Sequence, residues 1–172
     1  MDNDKKRPVI KIELNNVDKA QEKLALWLLI FLWVATIVIW FTLPLTIPVH
    51  FNLKNEPDRW DDKAYIFVMP FIASLLYALL SFVNKYPQSF NYIKPVTEGN
   101  AERLYTMGTR LLRLVKLMII IGFVVDTAND LIIAKNPAFH DTFLSTVLQW
   151  VPVILIAGVL LQKLVFAKKK DA

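Results

Sequence analysis

The sequence predicts an all-α, polytopic membrane protein with four transmembrane helices and a cytoplasmic amphipathic helix before the third. Three observations support this: uncharged apolar runs of bilayer length, positive charge that alternates along the chain, and little sequence left for a separate soluble domain. Of its 172 residues, 55% are hydrophobic. We therefore expect one membrane domain at residues 24–166, between a cytoplasmic segment at 1–23 and a basic cytoplasmic tail at 167–172.

The first two predicted spans have the strongest pattern. Residues 24–43 are uncharged, and about 20 residues at about 1.5 Å each match a hydrocarbon core of about 30 Å. A surface helix of a soluble domain would carry a polar stripe, which this run lacks. Residues 64–83 repeat the pattern and include Pro70. We expect a kink there, because a spanning helix tolerates proline when neighbouring groups satisfy the freed carbonyl.

The third predicted span, residues 114–133, contains a polar cluster with i, i+3, i+4 spacing: Asp126, Asn129 and Asp130. A continuous helix places these residues on one face. Two registers remain open. If the helix spans 114–133, the polar cluster lies in the bilayer, where a carboxylate marks a candidate functional site. If the span begins nearer Met107 and ends about Val125, Lys116 snorkels to the cytosol and the cluster lies in water.

The fourth predicted span, at about residues 142–161, includes Gln149, Pro152 and Gly158, and His140 and Asp141 precede it in a predicted exposed loop. Before the third span, residues 100–117 combine apolar residues at helical spacing with arginines: Arg103, Arg110 and Arg113. This pattern predicts a basic amphipathic helix on the cytoplasmic face. Contact with the lipid bilayer explains it, and a cytoplasmic regulator is the alternative partner.

The positive charges predict the topology. Lysines and arginines number six, six and four in the N-terminal segment, the connection between spans two and three, and the C-terminal tail, but only three and one in the other two connections. Both termini are therefore expected in the cytoplasm and the loop at 44–63 outside. The net charge of +5 reflects this asymmetry and indicates no nucleic-acid partner. The segment at 1–23 is too long and contains too many acidic residues for the N-terminal region of a signal peptide, so an uncleaved first helix is expected.

The loop at residues 44–63 is rich in prolines and charged residues. Its sequence after Pro44 is LTIPVHFNLKNEPDRWDDK. Pro44 and Pro48 fix φ and keep the residues before them out of the helix, and the stretch Asn55 to Asp58 has turn chemistry. We therefore expect a restrained loop of defined shape. Its candidate site residues, for binding or for structure, are Pro44, Pro48, His50, Asn52, Pro57, Asp58, Trp60 and Lys63.

This loop resembles the signature of the bacterial SdpI-type family, the membrane domain of the sporulation-delay immunity protein, in its short four-helix form. The resemblance extends to residues 90–113. It implies recognition of a peptide toxin or envelope component, with immunity or signalling as the outcome, at the bacterial cytoplasmic membrane. There are two departures: Asn55 replaces the glycine usual at the turn, and the longer relatives have additional C-terminal spans.

The candidate residues leave several readings open. Within the loop, His50 and Asn52 could bond backbone, Trp60 could anchor at the interface, and Asp58 could cap the second helix. A metal site is weakly indicated, because one histidine among scattered carboxylates lacks ligand spacing. No catalytic or nucleotide motif occurs and cysteine is absent, so we expect neither an enzyme nor a cofactor. The alternative functions are a small transport or permeation unit and a structural subunit of a membrane complex.

Overall fold

The computed structural model describes residues 7–52 and 56–135. Within them are three α-helices and two strands: α1 (Asn16–Trp40), β1 (Thr46–Phe51), β2 (Pro57–Asp62), α2 (Val68–Val83) and α3 (Ala101–Lys135). Short 3₁₀ helices occupy Lys63–Phe67 and Pro87–Ser89. The predicted fourth span, the loop before it, the basic tail and Asn55 lie outside the described residues.

The fold is mostly helical but not all-α, since β1 and β2 form a small antiparallel sheet. The sequence predicted a restrained extended loop here. Pro44 and Pro48 do keep the chain out of the helix, and cross-strand pairing then converts the extended segment into a hairpin. That pairing joins residues that are 6 to 16 positions apart in the sequence, and the propensity of one segment alone does not specify it.

Helix α1 begins earlier than the apolar run. Its N-terminus is a capping box: Asn15 Oδ1 accepts from the Asp18 N–H at 2.8 Å, and Asp18 Oδ2 accepts from the Asn15 N–H at 3.0 Å. The two side chains satisfy two backbone donors that a helix start leaves without partners. Part of the predicted cytoplasmic segment is therefore the first turns of α1.

Pro70 is the third residue of α2, which continues unbroken to Val83. The backbone N–H groups of the first turn of a helix have no acceptor within that helix, so a proline is tolerated at this position. Its own carbonyl accepts a hydrogen bond from Ser74 Oγ at 2.8 Å, and Ser74 Oγ accepts one from Trp33 Nε1 of α1 at 2.9 Å.

Two segments are long and apolar enough to cross a membrane: Asn16–Trp40, with 25 residues, and Lys63–Val83, with 21. Against the described residues, both expose large apolar side chains along most of their length, among them Trp27, Phe31, Val38, Phe71, Leu75, Leu79 and Phe82. Continuous apolar faces of this kind are costly in water and suit a lipid environment.

Helix α3 is continuous from the predicted amphipathic helix through the polar cluster. The sequence predicted a surface helix that leads into the third span, and the structure has one packed helix. Where the three helices meet, the buried residues Leu29 and Leu32 of α1, Ala73 of α2 and Ile120 of α3 form a core cluster. Ala73 is fully buried, and its small side chain leaves room for close approach of the helices.

The three helices are also joined by an ion-pair network at the N-terminal end of α1, formed by Asp18 and Glu22 of α1 and Arg110, Arg113 and Lys116 of α3. Lys116 Nζ donates to Glu22 Oε2 at 2.6 Å and to Ser81 Oγ of α2 at 2.9 Å. Its side chain is only 2% exposed, so it is buried between helices and does not extend to the cytosol.

We predict that Lys116→Met lowers the free energy of unfolding by about 2 kcal/mol, because it removes the charged hydrogen bonds of a buried ammonium to Glu22 and Ser81 and leaves the half-buried Glu22 carboxylate without its closest partner. The double variant Glu22→Gln/Lys116→Met should recover much of the loss, since no uncompensated charge remains at that pair. Denaturant unfolding in detergent micelles, followed by circular dichroism, measures both. The control is Lys23→Met, an exposed lysine on α1. A loss for Lys23→Met equal to that for Lys116→Met would contradict the role of the network.

The N-terminal segment before α1 is tied to the connection between α2 and α3. Arg7 Nη1 donates to the carbonyls of Gln88 and Phe90, at 3.0 and 2.7 Å. Tyr105 of α3 is fully buried and its hydroxyl donates to the Pro8 carbonyl at 2.9 Å. These hydrogen bonds join residues that are more than 80 positions apart in the sequence. They hold the N-terminal segment against the connection between α2 and α3 and against the start of α3.

In that connection, burial raises the pKa of Tyr92 to about 12, and the neighbouring Tyr105 adds to the effect. The Tyr92 hydroxyl donates to the Pro87 carbonyl at 2.8 Å. The folded state holds this proton more tightly than an unfolded chain, in which the tyrosine pKa is about 10. The contribution to stability is therefore complete below about pH 10 and is lost as the pH rises towards 12.

We predict that the unfolding temperature falls between about pH 10 and pH 12 and that Tyr92→Phe makes this fall shallower. Thermal scans of both proteins over that range provide the test. Tyr86→Phe is the matched control because Tyr86 lies in the same connection and is exposed. Identical alkaline slopes for the wild type and Tyr92→Phe would show that another group titrates.

Candidate functional site

The hairpin β1–β2 is held at its base by a small apolar core. Leu43, Ile47 and Ile66 are buried there and contact partly buried side chains from the end of α1 and the 3₁₀ helix. The backbone N–H of Lys63 donates to the Leu45 carbonyl at 2.9 Å, and the Lys63 ammonium lies 4.3 Å from the centre of the Trp40 ring. The base of the hairpin is therefore attached to both helices that it connects.

The prolines of the loop have different environments. Pro48 is buried and lies opposite Trp60 in the ladder, whereas Pro44 is exposed before β1 and Pro57 begins β2 half-buried. A proline has no backbone N–H to donate to a neighbouring strand. Pro48 is tolerated because both strands of a two-stranded sheet are edge strands, where one side of each strand has no neighbour. Trp60 is 48% exposed, so much of the indole is available to lipid or a partner.

The ladder is irregular at His50. Its register shifts between Pro48 and His50 and again between His50 and Phe51. Bulges of this kind redirect side chains, and here His50 lies beside Asp58 of the other strand. His50 Nδ1 donates to Asp58 Oδ1 across 2.5 Å, and both side chains are exposed. Asp58 therefore pairs with His50 and does not cap the second helix. The residue that caps the 3₁₀ helix before α2 is Asp62, whose side chain accepts from the Ala64 N–H at 2.7 Å.

The tip of the hairpin is closed by Asn52 and Glu56. The Asn52 N–H donates to the Glu56 carbonyl at 3.0 Å, and Asn52 Oδ1 accepts from the Glu56 N–H at 3.0 Å. Asn52 Nδ2 also donates to the Glu56 carboxylate at 2.9 Å. Asn52 therefore bonds backbone, which was one of the readings of the sequence, and these hydrogen bonds join the two strands beyond Phe51 and Pro57.

Further along β2, Arg59 Nη2 donates to Asp61 Oδ2 at 3.2 Å. The backbone N–H of Asp62, together with the Arg59 guanidinium, lowers the pKa of Asp61 from its usual value. The hairpin thus presents the exposed hydrogen-bonded pair His50–Asp58, the exposed ion pair Arg59–Asp61 and the half-exposed side chain of Trp60. Among the described residues, no group of three or more histidines and carboxylates could hold a metal ion.

The polar cluster lies far from the hairpin along the sequence but on the continuous helix α3. Asp126 and Asn129 are half-buried, and Asp130 lies in α3 beyond them. The adjacent Thr127 is buried, and its hydroxyl has no hydrogen-bond partner within the described part of the chain. No hydrogen bond or ion pair among the described residues joins Asp126 to the hairpin.

The ion-pair network locates Asp126 relative to α1. Lys116 is level with Glu22, because the two are in contact. Ten residues further, Asp126 lies about 15 Å along α3, at 1.5 Å per residue. Phe123, just before it, packs on the buried core cluster that includes Leu32. Asp126 is therefore level with the middle of the apolar part of α1.

Sequence reasoning did not identify the ion-pair network as a unit. A signal was present: Asp18 and Glu22 are four residues apart, and Arg110, Arg113 and Lys116 follow at intervals of three, so each set lies on one helix face. Both sets also belong to segments predicted at the same membrane side. The charge of the arginines alone predicts a surface helix, because residues 100–117 do not reveal the acidic partners on α1.

Comparison with known proteins places the hairpin in a recurring unit. Residues 27–74 match the model of a family described as a domain of unknown function, DUF1648. This part of the chain resembles a family whose function is not known. The match runs from α1 through the hairpin into α2, and so covers the C-terminal part of the first segment that is apolar enough to cross a membrane and the N-terminal part of the second.

A relative from Archaeoglobus fulgidus, described as an uncharacterized protein, is 29% identical over 86 residues. The similar region covers 45% of this chain and 47% of that protein, so the chain matches about half the length of this relative. No solved structure matches the chain.

We predict that His50→Gln increases hydrogen exchange of the hairpin amides about two- to fivefold, because an exposed pair contributes up to about 1 kcal/mol. Asp58→Asn should have a similar effect. The double variant should exchange no faster than either single variant, since both changes remove the same contact. Exchange measured by mass spectrometry over residues 46–62 tests this. Additive effects would mean that the two side chains act independently.

Proposed function

We propose that the protein is an integral membrane protein that recognises a peptide or envelope component through the hairpin β1–β2, with immunity or inward signalling as the outcome. The observation that carries this proposal is the construction of the hairpin. Its base is packed on the ends of two apolar helices, and its exposed strands present charge pairs and Trp60. A surface fixed in this way can bind a partner at a low cost in conformational entropy.

The arrangement of charge supports a location in the cytoplasmic membrane with the hairpin outside. The ion-pair network lies at the N-terminal end of α1 and the hairpin follows its C-terminal end, and 25 residues of helix correspond to about 37 Å. This length is sufficient to separate two membrane surfaces. The described parts of two positive segments, residues 7–23 and 84–116, lie towards the end with the network, which the positive-inside rule assigns to the cytoplasm.

The SdpI-type resemblance supports the choice of partner. Its signature residues map onto the hairpin, and its immunity function suggests a peptide toxin as the recognised molecule. An added peptide strand is one binding mode that a two-stranded sheet allows, because the outer edges of its strands carry backbone groups outside the ladder. In this mode, backbone hydrogen bonds provide affinity and the exposed side chains of β2 provide selectivity.

An alternative is a small transport or permeation unit that uses the polar cluster. The observation in its favour is that Asp126 is level with the middle of α1, which agrees with the register in which the third span covers residues 114–133. If α1 crosses the bilayer, this carboxylate lies within it, beside the buried hydroxyl of Thr127. Intramembrane carboxylates of this kind often mark ion or proton pathways.

We predict that a photo-crosslinking amino acid at position 60, in native membranes, captures a discrete peptide or envelope protein that mass spectrometry can identify. Asp58→Asn should reduce its yield severalfold, because the substitution alters the recognition surface. Asp126→Asn should leave the yield unchanged and serves as the control.

Three other results would contradict this prediction. Crosslinks to lipid alone would favour a structural role for the hairpin. Loss of ion flux in Asp126→Asn proteoliposomes with normal flux in Asp58→Asn would favour the permeation unit. Neutral effects of both substitutions would exclude both functions and leave a structural subunit of a larger complex.

A further inference from the structure

A cavity of about 490 Å³ lies beside the ion-pair network, between the N-terminal segment, the C-terminal end of α2 and α3. This volume is in the range of small-ligand sites in proteins, which is roughly 300 to 1,000 Å³. Its polar lining comes from all of the surrounding elements: Lys11, Glu22, Tyr77, Ser81, Asn84, Lys85, Thr109 and Arg113. The cavity shares Glu22 and Arg113 with the network but extends beyond it.

The lining contains donors without close acceptors. The Arg113 side chain is only 7% exposed, yet its Nε and Nη1 lack hydrogen-bond partners within the described part of the chain. Its carboxylate neighbours are further away, with Nη1 at 3.6 Å from Asp18 and Nε at 3.4 Å from Glu22. Buried guanidinium N–H groups normally have acceptors, so this site is suited to an additional anionic oxygen.

The surrounding charge also favours an anion. The two carboxylates of the network are shared among three cations, and Lys116 takes the shortest contact to Glu22. The exposed lysines Lys11 and Lys85 line the same cavity and have no acidic partner within hydrogen-bond distance among the described residues. Positive groups therefore outnumber negative ones around the cavity.

The cavity also provides acceptor and apolar groups. Asn84 Oδ1 is buried and has no hydrogen-bond donor among the described residues, and a hydroxyl of the ligand could supply one. Ile10, Ile12 and Leu14 of the N-terminal segment form an apolar side of the lining. Tyr77 and Ser81 belong to the apolar segment Lys63–Val83, and Asn84 and Lys85 follow directly after it. The cavity therefore lies at the C-terminal end of that segment.

We propose that this cavity binds a phosphate group, carried by the glycerol headgroup of an anionic phospholipid of the cytoplasmic leaflet. Arg113, Lys11 and Lys85 face the phosphate, Asn84 accepts from a glycerol hydroxyl, and the apolar side contacts the start of the acyl chains. Basic pockets beside transmembrane helices on the cytoplasmic side are typical sites for such headgroups. The proposal depends on the proposed membrane location but not on the role of the hairpin.

The test measures thermal unfolding of the full chain in an uncharged detergent, with phosphatidylglycerol, phosphatidylcholine or sodium phosphate added at constant ionic strength. Phosphatidylglycerol should raise the unfolding temperature and phosphatidylcholine should not. An equal rise with sodium phosphate would support the phosphate site and identify free phosphate as its ligand. No rise with either phosphatidylglycerol or phosphate would overturn the proposal, as would equal rises with the two lipids.

Matched variants separate the cavity from general attraction of positive charge to lipid. Lys11→Gln/Lys85→Gln should weaken the apparent affinity for phosphatidylglycerol by about tenfold. The control Lys19→Gln/Lys23→Gln removes the same charge from exposed positions near the same end of α1, outside the cavity lining. Equal losses in both pairs would overturn the proposal. Crosslinking from position 60 should be the same in all of these variants, so failure of this inference is distinguishable from failure of the hairpin function.

Discussion

The ion-pair network that joins α1 to α3 determines the arrangement of most of the described chain. Asp18 both caps α1 and pairs with arginines of α3, and Lys116 connects Glu22 with Ser81 of α2. Apolar faces pack in many registers in lipid, because lipid tails solvate them as well as another helix does. Buried charges accept far fewer registers, since each displaced pair leaves a charge uncompensated. The network thereby fixes the depth of α3 relative to α1.

The two ends of the described helices differ in construction. At one end, charged side chains are buried, the N-terminal segment is held by Arg7 and Tyr105, and a basic cavity remains open. At the other, the packing is apolar, and the polar groups lie on the hairpin surface in exposed pairs. Exposed pairs contribute little to stability, whereas the base of the hairpin is held by apolar burial. The side chains of the hairpin are thus available for binding, while those of the network are needed for the fold.

The hairpin contains residues that stabilise its fold and residues that a partner could contact. Pro48 is buried while the Trp60 opposite it is half exposed, and a register shift places His50 beside Asp58. The pattern of prolines predicted a restrained loop, and the match over residues 27–74 shows that this unit recurs in other proteins. The shift itself depends on the pairing of two strands, so residue spacing in one strand could not reveal the contact of His50 with Asp58.

The sequence by itself determined the two apolar segments, the restrained character of the loop and the separation of charge along the chain, because length, hydropathy and proline act locally. Only the tertiary structure decided that the loop is a hairpin, that Pro70 lies in the first turn of α2, and that Arg113 and Lys116 are buried against α1. It also showed α3 to be one helix, with Asp126 level with the middle of α1. These features depend on pairing between segments up to about ninety residues apart, where the contacts of one element select among conformations that local propensity leaves open.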